Sequence, residues 1–141
     1  MWQVKSFEQL SVFELFEIYK LRVAVFVVEQ NCPYQEVDDL DLTAIHLFAK
    51  KAEKLTAYAR IMPSENYTKI GRVIVSCDAR GNGLARKLMQ QAVEIAKRFA
   101  KPIGIQAQSS LISFYQSLGF QACSEIYLED GIPHLDMVLA H

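Results

Sequence analysis

The stretch RVIVSCDARGNGLARKLMQQAVEIAKRF, residues 72–99, constrains the fold more than any other part of the chain. A run of β-branched residues predicts a strand, Gly81 and Gly83 predict a tight turn, and an amphipathic helix follows at once. Leu84, Leu88, Met89, Ala92, Ile95, Ala96 and Phe99 fall on one face at the 3.6-residue period. Arg86, Lys87, Gln90, Gln91, Glu94, Lys97 and Arg98 are left for water. A strand that turns through glycines into a helix presents unpaired backbone N–H groups and the positive end of the helix dipole, which together favour a phosphate.

The rest of the chain supplies partners for this unit. Residues 2–6 read as a short strand, and Leu10, Phe13, Phe16 or Ile18, and Leu21 predict one long helix broken near its β-branched end. The acidic segment NCPYQEVDDLDL reads as a solvated loop or a short irregular helix. AIHLFAKK and LTAYARIMP predict a hairpin turning at Ala52 and Glu53 and closed by Pro63. PIGIQAQ is a further strand, SSLISFYQSLG a short helix opened by a serine cap and stopped by Gly119, and EIYLEDGIPHLDMVLA a hairpin turning at Asp130-Gly131. An early hairpin followed by a strand-helix-strand-helix unit predicts a mixed α/β sheet in one domain spanning residues 1–141.

Several functions are disfavoured by what the sequence contains. Fifteen Lys+Arg against 16 Asp+Glu give a net charge of −1, so no global field attracts nucleic acid or an anionic membrane, and any anion site is local. No apolar run approaches a membrane span and none has signal-peptide form, so a cytoplasmic location is expected. Cys32, Cys77 and Cys123 lack metal-ligand spacing and are expected as reduced, mostly buried thiols; no metal is expected. A P-loop needs Lys-Ser or Lys-Thr after its glycines, and a dinucleotide fingerprint needs a small residue where Arg86 stands. Both nucleotide readings fail on spacing.

What the spacing does match is R-x-x-G-x-A, here Arg80, Gly81, Asn82, Gly83, Leu84 and Ala85, followed one strand later by Tyr115-Gln116-Ser117-Leu118-Gly119-Phe120. This pair resembles the motifs of the GNAT superfamily of N-acetyltransferases. LRVAVFVVEQNCPYQEVDDLD and EDGIPHLDM extend the likeness to its ElaA-type branch. The resemblance implies a central sheet, mostly antiparallel, splayed into a V at its middle parallel strands and flanked by helices. It implies acetyl-CoA as co-substrate. Backbone groups of Val73, Ile74 and Val75 would pair with the pantetheine arm, residues Arg80 to Arg86 would wrap the pyrophosphate, and Gln108 would take the place of an asparagine that bonds the arm in many relatives.

The implied reaction is direct acetyl transfer to a primary amine, on a small molecule or a protein, and a homodimer is among the implied assemblies. Tyr115 falls where the family places its general acid, and the N–H of Val73 or Ile74 would bond the thioester carbonyl. Glu29, Glu36, Asp38, Asp41, His46 and His134 are the candidate bases, with His134 and Glu36 placed beside Tyr115 in the expected catalytic set. The alternative is an acyl-CoA sensor or interaction module that keeps the pocket without turnover.

Overall fold

The computed structural model describes residues 2–140. Strand β1 is Trp2–Ser6, helix α1 Val12–Arg22, β2 Ile45–Lys51, β3 Lys54–Pro63, β4 Thr68–Val75 and α2 Leu84–Lys97. There follow β5 Ile103–Gln108, α3 Ile112–Ser117, β6 Phe120–Ala122, β7 Tyr127–Glu129 and β8 Ile132–Leu139. The strands form one mixed sheet in the order β1-β2-β3-β4-β5-β8-β6, with β7 also on β8. Among the described residues only β4 and β5 run parallel. This is the expected mixed sheet; the short strand β6 was not anticipated, because three residues carry too little period to read.

Helix α2 lies on one face of the sheet with Leu88, Met89, Ala92, Ile95 and Ala96 buried, as its stripe predicts. Ala49, Ala57 and Ala59 sit in the same core, and their small side chains give the helix room for close approach. Phe99 falls past the helix end and is 37% exposed, so the stripe stops at Ala96.

The opposite face carries α1 and a seven-residue π-helical continuation, Val23–Glu29, so the predicted long helix is one body with a change of pitch. Ile18 and Val25 pack here on Phe48, Leu55, Tyr58 and Ile74. The predicted stripe is wrong at Phe13, which faces solvent; of the alternatives Phe16 and Ile18, Phe16 is exposed and Ile18 is the buried residue. Ser11 caps α1, accepting from the Glu14 N–H at 3.1 Å. The serine cap expected for α3 is absent; Ser109–Leu111 form a separate turn and Leu111 stands at the cap position. Cys32 is buried but Cys77 and Cys123 are exposed, which corrects the expectation for two thiols of three.

The hairpin turn residues Ala52 and Glu53 have φ of 51° and 67°, the left-handed pair that a tight hairpin requires. No helix among the described residues is long and apolar enough to cross a membrane.

These placements separate two kinds of apolar residue. Leu88→Ala, at a fully buried site beneath the sheet, is expected to lower the unfolding free energy by about 2–5 kcal/mol. Phe13→Ser, on an exposed helix face, is expected to change it by no more than about 0.5 kcal/mol. Urea denaturation of the two variants measures both.

Candidate active site

The parallel pair β4–β5 is joined over three residue pairs only, Thr68 with Ile103, Lys69 with Gly104 and Ile70 with Ile105. Beyond Ile70 the strands part, and the remainder of β4 keeps β3 as its one strand neighbour. A bulge drives the divergence: Arg60 pairs with Gly71 and Tyr58 with Ile74, so Arg72 and Val73 both stand opposite Ala59. Arg72 holds φ of 51°, an unusual value for a long side chain, which costs on the order of 1 kcal/mol. Bulges bend a strand and increase its twist, and here the bend leaves an open edge. Ser76 donates its N–H to Thr56 O on β3 at 2.8 Å. Backbone alternation then turns Ile74 toward β3, and Val73 and Val75 toward the opening.

The end of that edge meets the glycine turn. Gly81 and Gly83 have φ of 86° and 82°, and a Cβ on either would meet nothing within 4 Å. Both positions therefore need glycine for the backbone, and both border empty space. The Asn82 carboxamide oxygen accepts from the Leu84 N–H at 3.3 Å, while the other N–H groups of the first turn of α2 face a hollow of about 290 Å³ lined by Val75, Gly81, Gly83 and Leu84. Arg80 and Arg86 border the same hollow. Arg80 donates from Nε to Val75 O at 3.0 Å and forks onto Glu29 at 2.7 and 3.0 Å. Arg86 donates to Ser117 Oγ at 2.8 Å and lies over the Phe114 ring.

A second cleft of about 370 Å³ opens on the other side of the parted strands, and Val73, Gln108, Tyr115 and His134 line it together. Phe114 and Phe120 set the Tyr115 ring edge-on. Its hydroxyl has no hydrogen-bond partner among the described residues, and burial pushes its pKa up to about 12. His134 Nδ1 lies 2.7 Å from Ile132 O, a carbonyl that only accepts, so Nδ1 carries the proton and Nε2 is left as an acceptor. Gln108 is engaged with Gln30 at 3.3 Å. The Cys32 thiol donates to Asp130 O at 3.3 Å on the same wall.

Three carboxylates of the acidic segment are taken up by arginines, which corrects the expectation of a solvated loop there, while Asp39–Leu42 form the short irregular helix that was the other expectation. Arg22, fully buried, donates from Nε to the Glu36 carboxylate at 2.9 and 3.0 Å and from its two Nη atoms to Asp41 at 2.7 and 3.0 Å. Arg60 bonds Asp38 at 2.6 and 3.1 Å and Asp41 at 3.0 Å, and Arg72 pairs with Glu36 and Asp38. Three guanidinium groups and three carboxylates thus cancel. Burial alone would raise the Asp41 carboxyl, but the hydrogen-bonded Arg22 and the nearby Arg60 override it and hold it below its ordinary value. Asp38 is lowered in the same way, chiefly by Arg60 against burial.

Of the candidate bases, Asp38 and His134 border the cleft. Glu36 and Asp41 are buried in the ion cluster, and Glu29 is tied to Arg80. His46 is fully buried, its Nε2 donating to Asp41 O at 2.9 Å and its Nδ1 accepting from the Tyr58 hydroxyl at 2.6 Å. Burial, reinforced by Arg22 and Arg60, lowers its pKa. Arg22, Arg60, Arg72 and Tyr34 were not among the expected site residues, the last lying against the Arg72 guanidinium. Arg60 was findable: it shares a strand face with Tyr58 in LTAYARIM, and an arginine inside an apolar strand needs a buried partner.

A splayed sheet, a glycine turn at a helix start and a tyrosine in the cleft together define an acyltransferase of the GNAT type. The profile of the family described as "Acetyltransferase (GNAT) domain" matches residues 14–141, and the chain belongs to that family. Among its relatives, a UPF0039 protein of Schizosaccharomyces pombe is 49% identical over 140 residues, covering 96% of this chain and 93% of the relative. Protein ElaA of Escherichia coli is 46% identical over 143 residues, covering 96% and 94%, and its crystal structure matches with a TM-score of 0.95 over 99% of both chains. An acyl-CoA N-acyltransferase of Pseudomonas aeruginosa matches with a TM-score of 0.93 at 43% identity, again over 99% of both chains.

The buried charges predict two steps in acid stability. His46, with its folded pKa below the ordinary 6.5, binds its proton more readily unfolded, so stability is expected to fall as pH drops below about 6.5. Asp38 and Asp41, depressed below 3.8, hold their contribution above that value and lose it as pH falls through their folded values. Unfolding free energies measured from pH 8 to pH 2 should show both steps, and His46→Gln should flatten the upper one.

Proposed function

We propose that the protein transfers the acetyl group of acetyl-CoA directly to a primary amine. The observation that carries this is the open edge of β4, which borders the glycine hollow at Val75 and the Tyr115 cleft at Val73. Pantetheine bears two peptide-like amides, which match an unpaired strand edge, and its pyrophosphate matches the N–H groups at the start of α2. The empty space beside Gly81 and Gly83 fits that group, and a Cβ would intrude on it. Arg80 and Arg86 stand at the rim to add charge, Arg80 by exchanging Glu29 for phosphate. Gln108 reaches toward the arm once released from Gln30.

At the thioester, the amine nitrogen attacks the carbonyl carbon, a C–N bond forms and the C–S bond breaks. The Val73 N–H, facing the opening, is the donor for the carbonyl oxygen as negative charge builds there; Ile74, turned toward β3, is not. Tyr115 donates its phenol to the departing sulfur. With its pKa near 12 against about 8.5 for a thiol, it supports the thiolate as a hydrogen-bond donor, and the final thiol proton comes from solvent or from the protonated base. His134, with Nε2 free in the cleft, accepts the amine proton directly or through a water. Glu36 has no part in proton transfer, since two guanidinium groups hold its carboxylate.

The expected results follow from these roles. Acetyl-CoA at millimolar concentration should raise the melting midpoint by mass action, and an unchanged midpoint would refute the cofactor assignment. Tyr115→Phe keeps the ring and should lower kcat by about 10²-fold, with acetyl-CoA affinity nearly unchanged. Gly83→Val should act instead on binding. Turnover of Tyr115→Phe at the parent rate, with chemistry limiting, would remove the hydroxyl from the mechanism.

A further inference from the structure

Arg72 is the residue whose left-handed backbone makes the bulge, and its side chain is anchored more firmly than a strand-edge arginine requires. It pairs with the Glu36 carboxylate, donates from Nη2 to Glu36 O at 2.8 Å and lies 5.6 Å over the Tyr34 ring. Glu36 is in turn gripped by Arg22, which is fixed to Asp41. Asp41 takes Arg60, whose backbone pairs with Gly71, the residue immediately before the bulge. The chain of contacts runs from the bulge through α1 and the acidic loop and back to the bulge. Arg60, the β3 residue paired just before the bulge, is thereby tied to buried charge.

We propose that Glu36 and Arg72 are a positioning pair that holds the bulge and so aims the Val73 N–H into the cleft. The inference rests on the acetyl-transfer function proposed above and adds what keeps its donor in place. A backbone donor stabilises a developing oxyanion only when it is fixed in direction before charge appears. A strand with one neighbour and a local bend has no second ladder to fix it. The Arg72 guanidinium supplies that restraint from the side, because it is held at two points, Nε against the Glu36 carboxylate and Nη2 on the Glu36 backbone carbonyl, and a planar group so held resists rotation. Glu36 is 3% exposed and cannot reach the acceptor, so its influence on the reaction passes through Arg72.

The test uses the full chain, with acetyl-CoA carrying ¹³C at the thioester carbonyl. Arg72→Gly suits the left-handed backbone and removes the anchor, Arg72→Lys keeps the charge without the planar two-point contact, and Glu36→Gln removes the charged partner while leaving the backbone carbonyl. In the parent, the bound carbonyl stretch should be lowered and narrowed relative to free acetyl-CoA. In Arg72→Gly and Glu36→Gln the band should broaden and return toward the free position. In these two, kcat should fall about 10- to 100-fold, the acetyl-CoA Kd should stay within about threefold, and Arg72→Lys should lie between them and the parent. If Glu36→Gln fails to fold, the two Arg72 variants carry the test. A parent-like carbonyl band with a raised KM for the amine would make Arg72 an acceptor contact and overturn the proposal, as would a parent-like band with parent kcat. A parent that binds no acetyl-CoA would instead overturn the acetyl-transfer function itself, and this inference with it.

Discussion

The fully buried guanidinium of Arg22 sets the terms for the half of the molecule that surrounds it. A charge taken out of water is tolerable only where hydrogen-bonded carboxylates replace its hydration, and removing one partner leaves the other stranded. Glu36 and Asp41 meet that requirement, and in doing so they draw the acidic loop against the sheet. The same demand places Arg60 and Asp38, since Asp41 is shared. Helix α1 ends at Arg22, so the change to π-helical pitch begins at the residue whose side chain is most tightly held. The loop's path is a consequence of one requirement for neutrality, and the join of α1 to its continuation and the bulge in β4 lie beside the same charges.

The two faces of the sheet answer to different physics. Beneath α2 the contacts are apolar, and alanines on β2 and β3 let the helix lie close. Beneath α1 the apolar cluster is smaller and its remaining area is taken by His46, Arg60 and Arg22. Nondirectional burial supports the side bearing the glycine turn, whereas directional bonds govern the side bearing the Tyr115 cleft. A cradle of backbone amides needs only a stable platform, but a reacting centre needs angles.

How far the sequence could be read follows the same division. The stripe of α2, the glycine turn, the hairpin at Ala52 and Glu53 and the stop at Gly119 were all legible, because period and backbone conformation are properties of neighbouring residues. Phe13 misled, and Phe16 stood level with Ile18, because helical spacing does not say which of two apolar faces meets the core. The parting of β4 from β5 came only through family resemblance, since a register that stops after three pairs leaves no pattern in either strand. The ion cluster was hidden for a different reason. Arg22 and Glu36 are 14 positions apart and Arg60 lies further on, so a run of acidic residues looked like a surface until its partners were placed in space.

An open strand edge is ordinarily a hazard, because its unpaired amides can template another chain. Here the edge at Val73 and Val75 is recessed between the diverging strands, and the terminal carbonyl at Val75 is covered by the Arg80 guanidinium. A second polypeptide would have to bring side chains on both faces of its strand into that slot, with β5 and α3 standing beside it. A slender chain carrying amides, without side chains at every residue, meets less of that obstacle. Recession therefore acts as a sieve on the thickness of the guest, and the protein can keep unsatisfied backbone on offer without inviting its own aggregation.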